Sequence, residues 1–534
     1  MSNPQRAPSA PPSAGQLQPH LFPAGHRTRG LHILAGSGSG KSLAIGHLAF
    51  SDFLRGTSQY VFDPAGQAID AFLMRVSLLP AKYRRRAWAR VRYVDVSGRL
   101  GSPPPWPLLF RLPGETLHEV ASRFLDTVLA IDPALLGAPL MGANALRRIG
   151  LPVGIILASL GLQLDQAPSL LNDPRAWSDR LDEAAATCPE AAEAVAFFRQ
   201  HYMGATPQGR LAMTTSYRAK LELVTQSPQL HALCCRAPAG IDFPTVMARR
   251  ETVLLDFRGV TSPTARLFAT RWLFDCIMSF VRWRGPGLHA PLSIHFDEIV
   301  ELAAPSSTGT ELFAQELEQL FNVIQRNYSL QITAAHQSQT QLTPRIQETL
   351  LTLGTQMLGV VADLESAEAL ARRFGPLDVH RSKRFENVWA SDSIDDGFMR
   401  SSTHFVIDQR QVDLTLDEQA YLLARRLMAL PPFTFLIKGL QSQGLTAVSL
   451  RRFLEGIWPT AHGPFLTDLR RSLTAREARR LEADVLPTEA LAPDTMGDDH
   501  AHHDDHHTRH TAHSADDNEE EWDTWPAPLS APGT

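Results

Sequence analysis

The chain has 534 residues, 44% of them hydrophobic and 20% charged, with a net charge of −5. That length holds about three average domains with ample material for a core. The four cysteines, Cys188, Cys234, Cys235 and Cys276, have neither metal-ligand spacing nor disulfide density, which excludes a disulfide scaffold or zinc module and fits a reducing compartment. Charge is unevenly distributed. From Asp494 onward eleven acidic residues face one base, Arg509, a net −10 that leaves +5 for everything before it. The body is therefore mildly basic, which permits contact with a polyanion.

Met1 to His26 is a Pro/Ser/Ala/Gln segment with no apolar core, a disordered leader rather than a signal peptide. Leu31-His-Ile-Leu-Ala-Gly-Ser-Gly-Ser-Gly-Lys-Ser42 reads as a buried strand running into a glycine-rich turn that opens a helix, Leu43 to Phe53. This is a P-loop pattern, with Ala35 in place of the usual first glycine. Gly36, Gly38 and Gly40, alternating with Ser37 and Ser39, let backbone N–H groups converge on a phosphate chain. Lys41 then reaches the β- and γ-phosphates and Ser42 offers its hydroxyl to Mg²⁺, so ATP and Mg²⁺ are the expected ligands.

Tyr60 to Gly66 reads as a strand ending in an Asp-Pro-x-Gly turn, and Val91 to Ser97 as another strand. Between them Lys82 to Arg90 is basic and aromatic, a pattern more often a solvated helix face than a nucleic-acid surface. The run Ile149 to Leu164 is apolar but broken by Pro152 and too short for a bilayer, so it reads as a buried helix. Helical patterns dominate from about Asp132 to Ala237, suggesting an all-helical insertion. Strand and helix then alternate again, the arrangement of a parallel sheet flanked by helices. Leu292-Ser-Ile-His-Phe-Asp-Glu298 is an apolar strand delivering two carboxylates to its C-terminal end. Asp297 would hold Mg²⁺ through water and Glu298 would orient or deprotonate the attacking water. Ser329 to Gln337 is a further strand ending in an amide. From composition alone, Gln337 reads as a surface loop residue and Arg326 as a solvated helix charge. The last stretch carries seven histidines from His500 to His513 among its acids; a solvated, pH-responsive tail is favoured there over a metal site.

Ala35 to Ser42, the Asp63-Pro-x-Gly66 turn, Phe296-Asp-Glu298, Gln325-Arg-Asn-Tyr328 and Ala335-His-Gln337 together resemble, in that order, the HerA/FtsK superfamily of hexameric pumping ATPases. Within it the chain is similar to the TraG/TraD-like coupling proteins of conjugative and type IV secretion systems, over roughly residues 28 to 440. The resemblance implies an α/β fold of the RecA-like P-loop NTPase class, with a central, mainly parallel sheet and an all-α insertion domain. It divides the chain into a leader (1–27), the first part of the NTPase domain (28–131), the insertion (132–237), the second part (238–440), a C-terminal helical extension (441–490) and the acidic tail (491–534). It implies that Ala35 to Ser42 bind nucleotide, that Ser42 and Asp297 hold metal, that Glu298 acts on water, that Gln337 senses the γ-phosphate and that Arg326 is an arginine finger for a neighbouring subunit. The implied activity is an ATP-driven hexameric motor that translocates DNA in conjugative transfer or type IV secretion, with a relaxase or other transfer proteins as partners. The alternatives are a HerA-like helicase or translocase in repair, and a secretion-assembly ATPase acting on protein. Coupling proteins begin with transmembrane helices and this sequence shows none, so a cytoplasmic location is expected, peripheral at the inner face of the membrane and reaching it only through partners.

Overall fold

The computed structural model describes residues 29–131, 143–236, 240–287, 289–302, 314–338, 342–375, 382–395, 400–439, 445–450 and 462–485. The chain divides into two compact units, Met1–Val485 and Leu486–Thr534, and all described residues belong to the first. The leader expected at 1–27 and the histidine-rich acidic tail lie outside the described residues.

The strands are β1 (Leu31–Leu34), β2 (Ser58–Asp63), β3 (Val91–Asp95), β4 (Thr252–Asp256), β5 (Leu292–Phe296), β6 (Leu330–His336), β7 (Thr355–Leu358), β8 (Ser382–Asp395), β9 (Arg400–Asp413), β10 (Thr434–Lys438) and β11 (Thr446–Ser449). Nine of them form one sheet in the order β11-β10-β7-β1-β6-β5-β2-β4-β3, and β8 and β9 pair separately. From β7 to β3 every pairing is parallel, while β10 runs antiparallel to both β7 and β11. Every residue of β1 to β5 is buried, as expected of a parallel sheet covered on both faces. A polar side chain on such a strand can be bonded within the core: the Gln59 amide nitrogen donates to Ala49 O and to the Thr252 hydroxyl. A single strand, β6, separates β1 from β5. This is the RecA-like order, and it opens the loops after β1, β5 and β6 onto one cleft at the C-terminal end of the sheet.

Between β3 and β4 the described residues contain helices and no strand, from Leu117–Ile131 and Ala143–Ser159 to Pro207–Thr225 and Pro228–Cys234. The last two start where the sequence dictates, with Thr206 and Ser227 capping the backbone N–H groups of Gly209 and Leu230 and a proline in the first turn. One apolar cluster joins Phe124, Ile149, Val153 and Ile156 of these helices to Phe268 and Trp272 of the helix Pro263–Arg284 and to Phe62 and Phe296 of the sheet. The insertion thus shares the core of the sheet. No single described helix is long and apolar enough to cross a membrane; Leu146–Ser159 and Leu164–Asn172 meet those criteria only as a pair, bent by 117°. The basic run forms the helix Ala81–Ala89, with Arg84, Arg85 and Arg86 exposed.

Residues 441–490, expected to be a helical extension, contribute an edge strand first. The β-branched Thr446 and Val448 suit β11, and only then does the helix Gly463–Val485 follow. That helix inserts Leu466 and Leu473 into the core against β3 and the helix Gln67–Ser77. Its charges dock as well. Arg92 of β3 meets Glu477 at 2.5 Å and Glu251 at 3.4 Å, with all three side chains buried. Removing the guanidinium leaves these buried carboxylates only the longer approaches of Arg476 and Arg480, at 3.5–3.8 Å, so Arg92→Met should cost about 3–5 kcal/mol and loosen the C-terminal helix. Urea unfolding checks this; a loss within the range of an exposed ion pair, about 1 kcal/mol or less, would show that Arg476 and Arg480 neutralise them without Arg92.

Candidate nucleotide-binding site

The loop Ala35–Gly40 crosses the C-terminal end of β1 and hands over to the helix Lys41–Leu54. Gly38 and Gly40 have φ of 74° and 97°, a region that side-chain-bearing residues adopt only under strain. No side chain caps this helix, so its first N–H groups face the cleft with the positive end of the helix dipole behind them. Neighbouring strands hold the loop: Gly36 N donates to Val360 O at 2.9 Å and Ala35 N to His336 O at 3.3 Å.

The side chains singled out in the sequence meet here. Lys41 Nζ donates to Asp297 O at 2.7 Å and to Glu298 Oε2 at 3.2 Å, and Ser42 Oγ donates to Asp297 Oδ2 at 2.8 Å. With Gln337 from the end of β6 they line a cleft of about 690 Å³, a size suited to a small-molecule ligand. Burial raises the pKa of Asp297 above the ordinary carboxylate range, against the pull of Lys41 and the Ser42 hydrogen bond. Glu298 is also raised by burial, with Lys41 opposing and Gln337 lending a hydrogen bond to the charged form. A carboxylate raised in this way is a better proton acceptor. Asp297 Oδ1 is buried without a hydrogen-bond partner among the described residues. With the Ser42 hydroxyl beside it, this oxygen set fits a hard divalent cation such as Mg²⁺.

Asp63, at the end of β2, is buried beneath Pro64 and Ala65, which line the cleft. Its carboxylate accepts from Gly66 N at 2.6 Å, Ile69 N at 3.0 Å and Ala65 N at 3.1 Å, which fixes the Asp-Pro-x-Gly turn. Burial, with Asp297 facing it, nevertheless pushes its pKa up to about 8. Arg326 is elsewhere: it lies in the short helix Gln325–Asn327 before the N-terminal end of β6, and its side chain is outside the described residues.

Several residues of the cleft and its base carried no motif. Arg470 of the C-terminal helix lines the cleft and bonds Asp70 at 2.6 Å, while Arg258 clamps the same carboxylate through two nitrogens at 2.9 Å. Beneath the loop, His32 of β1 meets His336 of β6, Nε2 to Nε2, at 2.8 Å, and its Nδ1 meets Gln356 Oε1 at 2.6 Å. The Gln356 amide nitrogen donates to Leu350 O and Leu353 O, so its oxygen must accept from His32. A neutral His32 that donates through Nδ1 has Nε2 as acceptor, and a neutral His336, whose Nδ1 also lies 3.1 Å from Ser338 O, can donate to only one of the two.

Burial lowers the pKa of His32 from 6.5 to about 4 and that of His336 well below its usual value. Between pH 6.5 and 4 the unfolded chain binds a proton that the folded His32 refuses. This contribution to stability is complete above pH 6.5 and is lost as pH falls through 4, amounting to roughly 3 kcal/mol. In urea unfolding at pH 7 and 4.5, His32→Asn should lose less stability on acidification than the wild type. Equal losses would reject the assignment.

A glycine-rich loop set against strand-end carboxylates, with one strand between them, defines the RecA-like P-loop class. No family model matches the chain and no curated protein matches it. Among solved structures it is similar to the bacterial conjugative coupling protein TrwBΔN70, at 13% identity and a TM-score of 0.45, covering 80% of this chain and 86% of that one. It is similar to the plasmid coupling protein TrwB in complex with the ATP analogue ADPNP, at 14% identity and a TM-score of 0.47, covering 80% and 87%. VirB4 of Thermoanaerobacter pseudethanolicus follows at 13% identity and a TM-score of 0.44, covering 79% and 88%. These are likenesses of chain trace, and the reading of the site rests on the contacts described above.

Proposed function

We propose that the protein is an ATP-hydrolysing, hexameric motor that moves DNA, acting like a coupling protein in conjugative transfer or type IV secretion. The observation that carries hydrolysis is the meeting of Lys41, Ser42, Asp297, Glu298 and Gln337 in one cleft. The DNA task rests on the resemblance in motif order and on the mildly basic body.

Lys41 now neutralises Glu298. A bound triphosphate offers it stronger partners, and as Lys41 turns to the β- and γ-phosphate oxygens Glu298 is released from its cation. The freed carboxylate orients a water and accepts its proton as the water attacks the γ-phosphorus, while Lys41 and the loop N–H groups stabilise the charge on the phosphate oxygens. Mg²⁺, when bound with the nucleotide, would be held by Ser42 and by Asp297 through water, and would neutralise charge between the β- and γ-phosphates. Gln337, immediately after β6, would register the presence of the γ-phosphate and pass that state to the strand.

ATPase rates with single- and double-stranded DNA across a salt series test the reading. Stimulation by DNA that fades as salt rises is expected. Robust hydrolysis indifferent to nucleic acid would reject the DNA motor and favour a secretion-assembly ATPase acting on protein.

A further inference from the structure

We propose that Phe433 is the platform on which the base of the nucleotide stacks. The proposal deepens the nucleotide reading above and rests on it. The carboxylates and Gln337 come from β5 and β6, both on one side of β1, and they fix the terminal phosphate on that side. On this proposal a nucleotide whose phosphates follow the loop across β1 carries its base toward the β7 and β10 side, where Phe433 lines the cleft. Phe433 immediately precedes β10. Because β10 runs antiparallel to β7, its start lies at the same end of the sheet as the loop.

The residue is built onto the loop. Its N–H donates to Ser39 O at 2.8 Å. Its ring lies so close to Gly40 that a Cβ there would come within 2.3 Å of the ring atom Cδ1. The ring lines the cleft and is half-buried, and with Leu43 it flanks the apolar cluster beneath the loop. Its backbone has φ of 65°, a conformation costly for an aromatic residue and free for glycine. Strain of this kind persists where the surroundings hold it, and here the bonds from Phe433 N to Ser39 O and from Leu450 N to Phe433 O do so. An aromatic face beside a phosphate cradle suits a purine, and stacking accepts adenine and guanine alike because both present a π-face.

Binding of ATP and of tripolyphosphate, which lacks a base, separates stacking from support of the loop. Affinities are measured by calorimetry on the full chain for the wild type, Phe433→Gly, Phe433→Leu and Phe433→Trp. Glycine relieves the backbone and removes the ring, while leucine keeps apolar packing without an aromatic face. Both variants should bind ATP roughly tenfold to a hundredfold more weakly, with tripolyphosphate unchanged, and tryptophan should retain ATP affinity. Wild-type ATP affinity in the glycine and leucine variants would overturn the proposal, as would a parallel loss of tripolyphosphate, which would make the ring a prop for the loop. A wild type that binds neither ligand would overturn the nucleotide reading, and this proposal with it.

Discussion

Lys41→Ala is expected to abolish ATP turnover and weaken ATP binding, whereas Glu298→Gln should bind ATP normally and turn it over slowly. The asymmetry follows from what each group does. Lys41 is the buried cation at the base of the cleft, bonded to Asp297 O and Glu298 Oε2, and in the nucleotide complex its charge falls on the phosphates. Loss of a single charge-stabilising donor costs about 10²- to 10³-fold in rate, and here the donor also serves ground-state binding. Glutamine at 298 keeps the shape of glutamate and still offers Lys41 a carbonyl oxygen, so the cleft stays assembled. It cannot take a proton, and loss of a general base costs about 10²- to 10⁴-fold. Nucleotide affinity by calorimetry and single-turnover hydrolysis separate the two variants. Near-normal turnover in Glu298→Gln would remove this glutamate from the mechanism, and unchanged hydrolysis in Lys41→Ala would remove the cleft as a whole.

What was legible in the sequence was local. Leu31 to Leu34 and Leu292 to Phe296 read as strands from their short apolar-rich runs, in which the sheet buries the polar His32, Ser293 and His295 as well. Gly36, Gly38 and Gly40 read as a turn that cradles phosphate, and Gly38 and Gly40 take the positive φ that such a turn uses. What was hidden depended on sheet order. His32 and His336 are 304 residues apart and touch only because β6 returns to the side of β1. Asp63 looked like a turn residue and is one, but the field of Asp297 upon it exists only once β5 lies beside β2. Phe433 carried no signal at all, since positive φ in a phenylalanine is imposed by its surroundings. The long antiparallel pair β8 and β9 was likewise unannounced among the motifs.

Hydrolysis should also require a ring, and Arg326 is the residue that makes this testable. Arg326 precedes β6 at its N-terminal end, while Gln337 leaves β6 at the other. A strand of 7 residues spans about 23 Å, so the backbone of Arg326 lies farther from the Gln337 end of β6 than the length of an arginine side chain. If it contributes to catalysis it does so on a neighbour, where a guanidinium that cannot lose its charge bonds two phosphate oxygens at once. Fingers supplied in this way are worth about 10³ to 10⁵ in rate. Arg326→Ala should therefore keep ATP affinity and lose turnover by that order. Mixing gives the decisive measurement. Lys41→Ala subunits still donate Arg326, and Arg326→Ala subunits still have an intact loop, so mixed oligomers should recover part of an activity that neither variant shows alone. Mixed oligomers without recovered activity, or a dilute monomer that hydrolyses ATP as fast as the assembled protein, would show that Arg326 does not act between subunits.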